Sequence, residues 1–192
     1  PASRPRALVT FYRSYLTAAD TSPVDAMIAA LDAEGFDAYG AFAPSLKAPG
    51  VGSWLENHLR TTPPSVIVNA TAFSSKNEAG ATPFDVAGCP VFQVALSTAR
   101  RRDWAQSERG LSPADLAMHV VLPEVDGRLF AGVVSFKSPG QRDPDLQFSH
   151  FAHRADALRV SAAARRIAAW HRLSHTPARD KRLAIVLSSY PG

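Results

Sequence analysis

With 192 residues, 46% of them hydrophobic and 20% charged, the chain carries enough apolar material for the core of one ordinary domain or slightly more, which excludes the disordered and fibrous classes. The formal net charge is +4, and basic residues gather at Arg100, Arg101 and Arg102 and again around Arg165, Arg166, Arg179, Lys181 and Arg182. No aromatic-interleaved motif or zinc-finger spacing accompanies them, so they read as a solvated basic face with no nucleic-acid partner, and no apolar run reaches the roughly 20 residues of a membrane span.

Residues 7–12 (ALVTFY) are an uninterrupted apolar run of strand length, the pattern of a strand buried on both faces. Thr21 and Ser22 before Pro23 then mark a helix start, with Val24, Met27, Ile28 and Leu31 at helical spacing and Gly35 closing the helix. Residues 36–42 form a second strand, which completes a β-α-β unit. Residues 52–59 read as helix, Pro63 and Pro64 break it, and residues 65–73 (SVIVNATAF) read as a third strand. A polar, glycine-containing stretch over 74–83 precedes a fourth strand at 89–96 (CPVFQVAL). Strands alternating with helices predict an α/β fold: a mostly parallel sheet with helices on both faces, flavodoxin-like or periplasmic-binding-like.

Past Leu96 the regularity weakens. Ser112 and Pro113 start another helix, residues 120–122 are apolar, residues 123–127 (PEVDG) read as a turn, 129–136 as a strand and 138–144 as a loop. An amphipathic helix over 156–175 would present Leu158, Ala162, Ile167, Ala168 and Trp170 roughly on one side, and residues 183–187 (LAIVL) open a further strand. The chain thus divides into a Rossmann-like α/β portion, residues 1–110, and a second α/β portion, residues 111–192, which can join it in one compact unit. It begins at Pro1 without Met or a signal segment and stops just after an apolar run, so it reads as an internal piece of a longer polypeptide. Cys89 is its single cysteine, which excludes a disulfide framework and makes a reducing cytoplasm the simplest setting.

Ligands of open parallel sheets sit outside the carboxyl ends of the strands, so polar residues that end the apolar runs are candidates. They are Tyr12, Arg13, Ser14 and Tyr15, then Ser45 with Lys47, Asn69 with Thr71, Gln93, and finally Ser188, Ser189 and Tyr190. Such groups suit a ligand with carboxylate or amide arms and serve equally as strand-end caps. A sharper signal is the pair Glu124 and Asp126, held between Pro123 and Gly127. A carboxylate fixed there can bind a divalent cation or accept a proton from a nitrogen that is being metallated, although a plain turn also explains it. His119, five residues before Glu124, can add an imidazole ligand or be a satisfied core histidine. His58, His150, His153, His171 and His175 do not form the His-Glu-x-x-His spacing; His171 and His175 are four apart, which suits a metal or simply an exposed helix end. Neither a P-loop, nor a dinucleotide fingerprint, nor a nucleophile elbow is present in the sequence.

Six stretches in order carry a family likeness: residues 6–15 (RALVTFYRSY), 42–47 (FAPSLK), 68–73 (VNATAF), 90–93 (PVFQ), 109–115 (RGLSPAD) and 121–127 (VLPEVDG). They resemble the central part of the large N subunits of aerobic cobaltochelatases, and the leucine-proline-glutamate-x-aspartate-glycine element also resembles one in the H subunits of magnesium chelatases. Residues 187–192 (LSSYPG) resemble the start of the stretch by which those subunits continue. The resemblance implies ATP-dependent insertion of Co²⁺, the substrate metal, into hydrogenobyrinic acid a,c-diamide during aerobic cobalamin biosynthesis. ATP and Mg²⁺ would be used by separate ATPase partner subunits, in agreement with the missing P-loop, and the isolated chain would be inactive. It further implies Glu124 as metal escort or proton acceptor, Asp126 as its support and His119 as an extra metal ligand, with Arg13, Lys47, Asn69 and Gln93 on the arms of the ring. Two alternatives stand beside it: a non-catalytic docking or ligand-binding module of the same subunit, and a related chelatase for another tetrapyrrole or metal.

Overall fold

The computed structural model describes residues 3–143 and 148–187, with the side chains of residues 140–150 outside the description. Strand β1 (Arg6–Tyr12) leads into a short helix α1 (Arg13–Thr17), then α2 (Ser22–Ala33) and β2 (Asp37–Ala43). Helix α3 (Val51–Thr61), β3 (Val66–Asn69) and β4 (Val91–Ser97) follow, then α4 (Arg101–Gln106) and α5 (Pro113–Leu116). A π-helical segment (Ala117–Val121) joins α5 to α6 (Leu122–Val125), and β5 (Leu129–Asp143), β6 (Phe148–Ala155) and α7 (Ala157–His175) complete the order.

The six strands make one sheet in the order β2-β1-β3-β4-β5-β6, so strands from both portions of the chain share it. All neighbouring pairs are parallel except β5 and β6. Both faces are covered, as the uninterrupted apolar runs require. Ala7, Val9 and Phe11 of β1 pack with Met27 and Leu31 of α2 and Ile167 of α7, whereas Leu8 and Ile67 face Leu55 and Leu59 of α3. This is the predicted mostly parallel α/β sheet with helices on both faces.

Three sequence expectations change. The buried face of α7 is Val160, Ala163, Ala164, Ile167 and Ala168, while Leu158 is 80% exposed and Trp170 is also exposed. Alanines allow α7 to approach the sheet closely, so the smaller side chains occupy the interface. The loop expected at 138–144 is in part strand: β5 runs on to Asp143 and pairs antiparallel with β6, with an irregularity between Pro139 and Arg142 that absorbs the proline and glycine. Residues 183–187 form no strand; Leu183, Ile185, Val186 and Leu187 are 83% to 90% exposed and lack a sheet partner among the described residues. Ser188, Ser189 and Tyr190 lie outside the described residues.

The expected turn at 123–127 is the end of a helical segment that starts at Pro113. Pro123 has no N–H to donate to the carbonyl of His119 four residues back, and its ring crowds that carbonyl. Widening the preceding turn to π geometry accommodates the proline, a distortion often found at functional sites. Gly127, at φ 78°, ends the helix by donating its N–H to Glu124 O at 2.8 Å, and Asp126 N reaches Pro123 O at 3.0 Å.

Candidate functional site

Asn69, at the carboxyl end of β3, joins Thr10 of β1 and Gln93, the third residue of β4, in a buried polar network. Thr10 Oγ1 and Thr71 Oγ1 donate to Asn69 Oδ1 at 2.7 and 2.9 Å, and Asn69 Nδ2 donates to Gln93 Oε1 at 2.7 Å and to Thr71 O at 3.0 Å. Gln93 Nε2 donates to Thr71 O at 2.8 Å and to Val94 O at 3.0 Å. Parallel pairing places Thr10 beside Asn69 and Asn69 beside Gln93, so the register itself builds the chain of side chains. Both carboxamides are buried and saturated. In this arrangement neither offers a free group to the carboxylate or amide arms of a ligand; they brace the floor beneath the sheet edge.

Arg128 extends the network to the helical segment. Its Nη1 donates to Gln93 Oε1 at 3.2 Å and its Nη2 to Ser75 Oγ at 2.6 Å and to Asp126 Oδ2 at 2.8 Å. The Asp126 carboxylate also accepts from Ser74 Oγ at 2.5 Å, from Ser75 N at 2.6 Å and from Ser75 Oγ at 3.1 Å. Both side chains of this ion pair are fully buried. Burial pulls the Arg128 guanidinium below its ordinary value, and the Asp126 charge opposes that shift. Lys76 Nζ donates to Val125 O at 2.6 Å, a second tie between the β3 loop and the end of α6. Glu124 lies between these anchors. Its own side chain is exposed, so a rigidly held backbone presents a free carboxylate.

The same helical segment carries the exposed apolar side chains Leu116, Val121, Leu122 and Val125. Phe73, also exposed, adjoins the same segment through its N–H, which donates to Met118 O at 2.8 Å. A carboxylate beside exposed apolar side chains, on the helical segment that leads into the amino end of β5, is suited to meeting a cation beside an apolar ring face.

His119 is buried instead of sharing that surface, and its Nδ1 has no hydrogen-bond partner among the described residues. Burial keeps its imidazole below the ordinary value despite Asp115 nearby. Asp115 is itself committed, accepting from Ser97 Oγ at 2.8 Å, Thr98 N at 2.9 Å and Thr98 Oγ1 at 2.9 Å. His153 is buried as well, with Nδ1 at 3.2 Å from Ser135 Oγ and its backbone N–H donating to Asp20 Oδ1 at 2.8 Å. Tyr15 meets the His153 ring edge-on at 5.6 Å, and burial pushes its phenol up to about 12. No three His, Cys, Asp or Glu side chains among the described residues are grouped to hold a metal ion.

The predicted residues therefore fall into three groups. Asn69, Gln93 and Asp126 are brought together through Arg128; Glu124 stands above them; His119 lies behind. Arg13 is exposed just past β1, and Lys47 lies on a separate cleft of about 520 Å³ between the start of α3 and the loop of Ser75 to Glu78. The network residues Arg128, Ser74 and Ser75 were not candidates. Arg128 carries a faint signal in sequence, a charge set directly before the apolar run of β5, whereas the two serines lie in a polar stretch with no mark of burial.

The whole chain, residues 1–192, matches the model of the CobN/Magnesium Chelatase family. It is 37% identical over 187 residues to the aerobic cobaltochelatase subunit CobN of Sinorhizobium sp, covering 95% of this chain and 15% of that protein. Identity to the aerobic cobaltochelatase subunit CobN of Pseudomonas aeruginosa is 34% over 194 residues, covering 99% of this chain and again 15% of the relative. The large H-type polypeptide of the magnesium chelatase of Cereibacter sphaeroides is 34% identical over 133 residues, 62% of this chain and 11% of that protein. Among solved structures, the catalytic subunit of cobaltochelatase from Mycobacterium tuberculosis superposes with a TM-score of 0.73 at 26% identity, over 98% of this chain and 16% of that one. The chain thus spans about one sixth of the length of these cobaltochelatase relatives.

Proposed function

Because the chain belongs to the CobN/Magnesium Chelatase family, we propose that it is a piece of the tetrapyrrole-binding subunit of a cobaltochelatase that inserts Co²⁺ into hydrogenobyrinic acid a,c-diamide. The full assembly would draw on ATP and Mg²⁺ through separate ATPase subunits in the cytoplasm, and this chain alone would not turn over. The observation that carries the reading is Glu124: an exposed carboxylate on a clamped helix end, on a helical segment that also carries exposed aliphatic side chains.

Metal insertion has two demands. The cation must shed water, and the ring must lose its inner N–H proton, a single one for a corrin. A carboxylate oxygen replaces water on the incoming cation and accepts a proton as the nitrogen lone pair turns to the metal. Glu124 takes that role. Asp126 is a positioning residue that acts through Arg128, Ser74 and Ser75 to hold the α6 end still. Asn69 and Gln93 support the same platform from below, and Arg13 and Lys47 remain the exposed cations for the acidic arms of the ring. The His119 imidazole is buried, whereas Glu124 is exposed, so we assign the first metal contact to Glu124 and keep His119 Nδ1, unpartnered among the described residues, as the extra ligand.

A second reading, a chelatase for another metal, is supported by the magnesium-chelatase relatives, which match at 34% identity over 62% of the chain or 28% over 93%, against 37% over 95% and 34% over 99% for the cobaltochelatase relatives. The test is Glu124→Ala in the full-length subunit with its ATPase partners. Cobalt insertion should be abolished with ring binding kept; wild-type turnover in the variant refutes the role, and wild-type insertion of Mg²⁺ in place of Co²⁺ favours the second reading.

A further inference from the structure

The strand order turns back between β1 and β3, so the crevice at their carboxyl ends is the place where open α/β sheets take ligands. The loop leaving β3 there carries Phe73, whose φ of 67° lies in the left-handed region that bulky L-residues avoid. Its backbone is forced into that state from several sides. Its N–H is tied to Met118 O, its carbonyl accepts from Arg128 Nη1 at 3.4 Å, and Tyr12 Oη bridges Ala72 O and Ala72 N at 2.9 and 3.1 Å. On its other side, Ser74 is bound to Asp126.

The side chain gains little from this. Phe73 is 49% exposed and belongs to none of the core clusters. Glycine would adopt the same backbone without strain, so folding does not explain a phenylalanine here. Strain of this kind persists where a site needs the side chain it carries. The Phe73 N–H is bonded to Met118 O and the next residue, Ser74, to Asp126, so Phe73 lies alongside the helical stretch that bears Val121, Glu124 and Val125.

We propose that Phe73 is the platform on which one face of the metal-free tetrapyrrole stacks, flanked by Val121 and Val125, so that the ring nitrogens come to rest beside Glu124. The inference rests on the chelatase reading above and extends it to the ring contact. The conjugated core of the macrocycle presents a π-face to an aromatic ring, so this contact holds the ring and leaves recognition of the arms to other groups.

The experiment uses the full-length subunit and titrates hydrogenobyrinic acid a,c-diamide, following its absorbance, with Phe73→Ala, Phe73→Gly and Phe73→Trp. Loss of a stacking aromatic weakens ring binding by about tenfold or more in the alanine and glycine variants, and tryptophan restores it. Phe73→Gly should at the same time raise the thermal midpoint, because it releases the strained backbone. Wild-type ring affinity in the alanine and glycine variants overturns the proposal, as does a fall in thermal midpoint for Phe73→Gly, which would make the residue a packing element. If Phe73→Ala binds the ring normally while Glu124→Ala abolishes insertion, the platform fails and the chelatase reading stands. If the wild-type subunit does not bind the ring, both fail.

Discussion

Asp126→Asn removes the charge that compensates Arg128 while keeping nearly the same shape. Both side chains are fully buried, and the carboxylate accepts four hydrogen bonds, one from Arg128, one from Ser74 and two from Ser75. Breaking such a pair from one side leaves a guanidinium buried without its counter-charge, at a cost of about 3–5 kcal/mol. Against a total stability of about 5–15 kcal/mol, that is a large fraction. The double variant Asp126→Asn with Arg128→Met should recover about 1–3 kcal/mol relative to the sum of the single variants, because each single change already breaks the same pair. Urea unfolding of the three variants and the parent gives the cycle directly. A loss below about 1 kcal/mol for Asp126→Asn, or strict additivity, would refute the claim that this pair clamps the site, since that is the range of an exposed ion pair.

Glu124→Gln, by contrast, should leave urea stability within about 0.5 kcal/mol of the parent, since its side chain is exposed, while removing cobalt insertion from the full-length assembly. Ile167→Ala should cost about 2–5 kcal/mol and Leu158→Ala within about 0.5 kcal/mol, which tests the observed face of α7 by thermal or urea unfolding. Burial holds the His153 imidazole below its ordinary value of 6.5, so the unfolded chain binds the extra proton. The stability of the parent should therefore be full above pH 6.5 and fall as pH drops through that value toward the depressed folded one. His153→Asn should flatten that fall between pH 7.5 and 5 in urea titrations; an unchanged slope would show that His153 is not its source.

The sheet was legible because its central strands are parallel and buried on both faces. Runs such as residues 7–12 and 65–69 have no polar face to hide, and proline and glycine mark the helix ends between them. Local signals misled where a distant partner decided the outcome. Pro139 and Gly140 read as a loop because only the pairing with β6 makes a strand there, and the large apolar residues Leu158 and Trp170 drew the helix face away from the alanines that the sheet admits. The PEVDG stretch read as a turn and not as a helix end, since Pro123 is a stop signal unless the preceding turn widens.

By itself, then, the amino-acid order determined the α/β class and marked Glu124 as a candidate, because periodicity, breakers and a held carboxylate are properties of neighbours in the chain. Only the tertiary structure decided which polar residues are free. Asn69, Gln93 and Asp126 look as available as Glu124 in sequence, yet register places the first two side by side within the sheet, and a salt bridge to Arg128 consumes the third. Hydrogen-bond saturation depends on contacts between segments some 20 to 60 residues apart, and no local pattern encodes it.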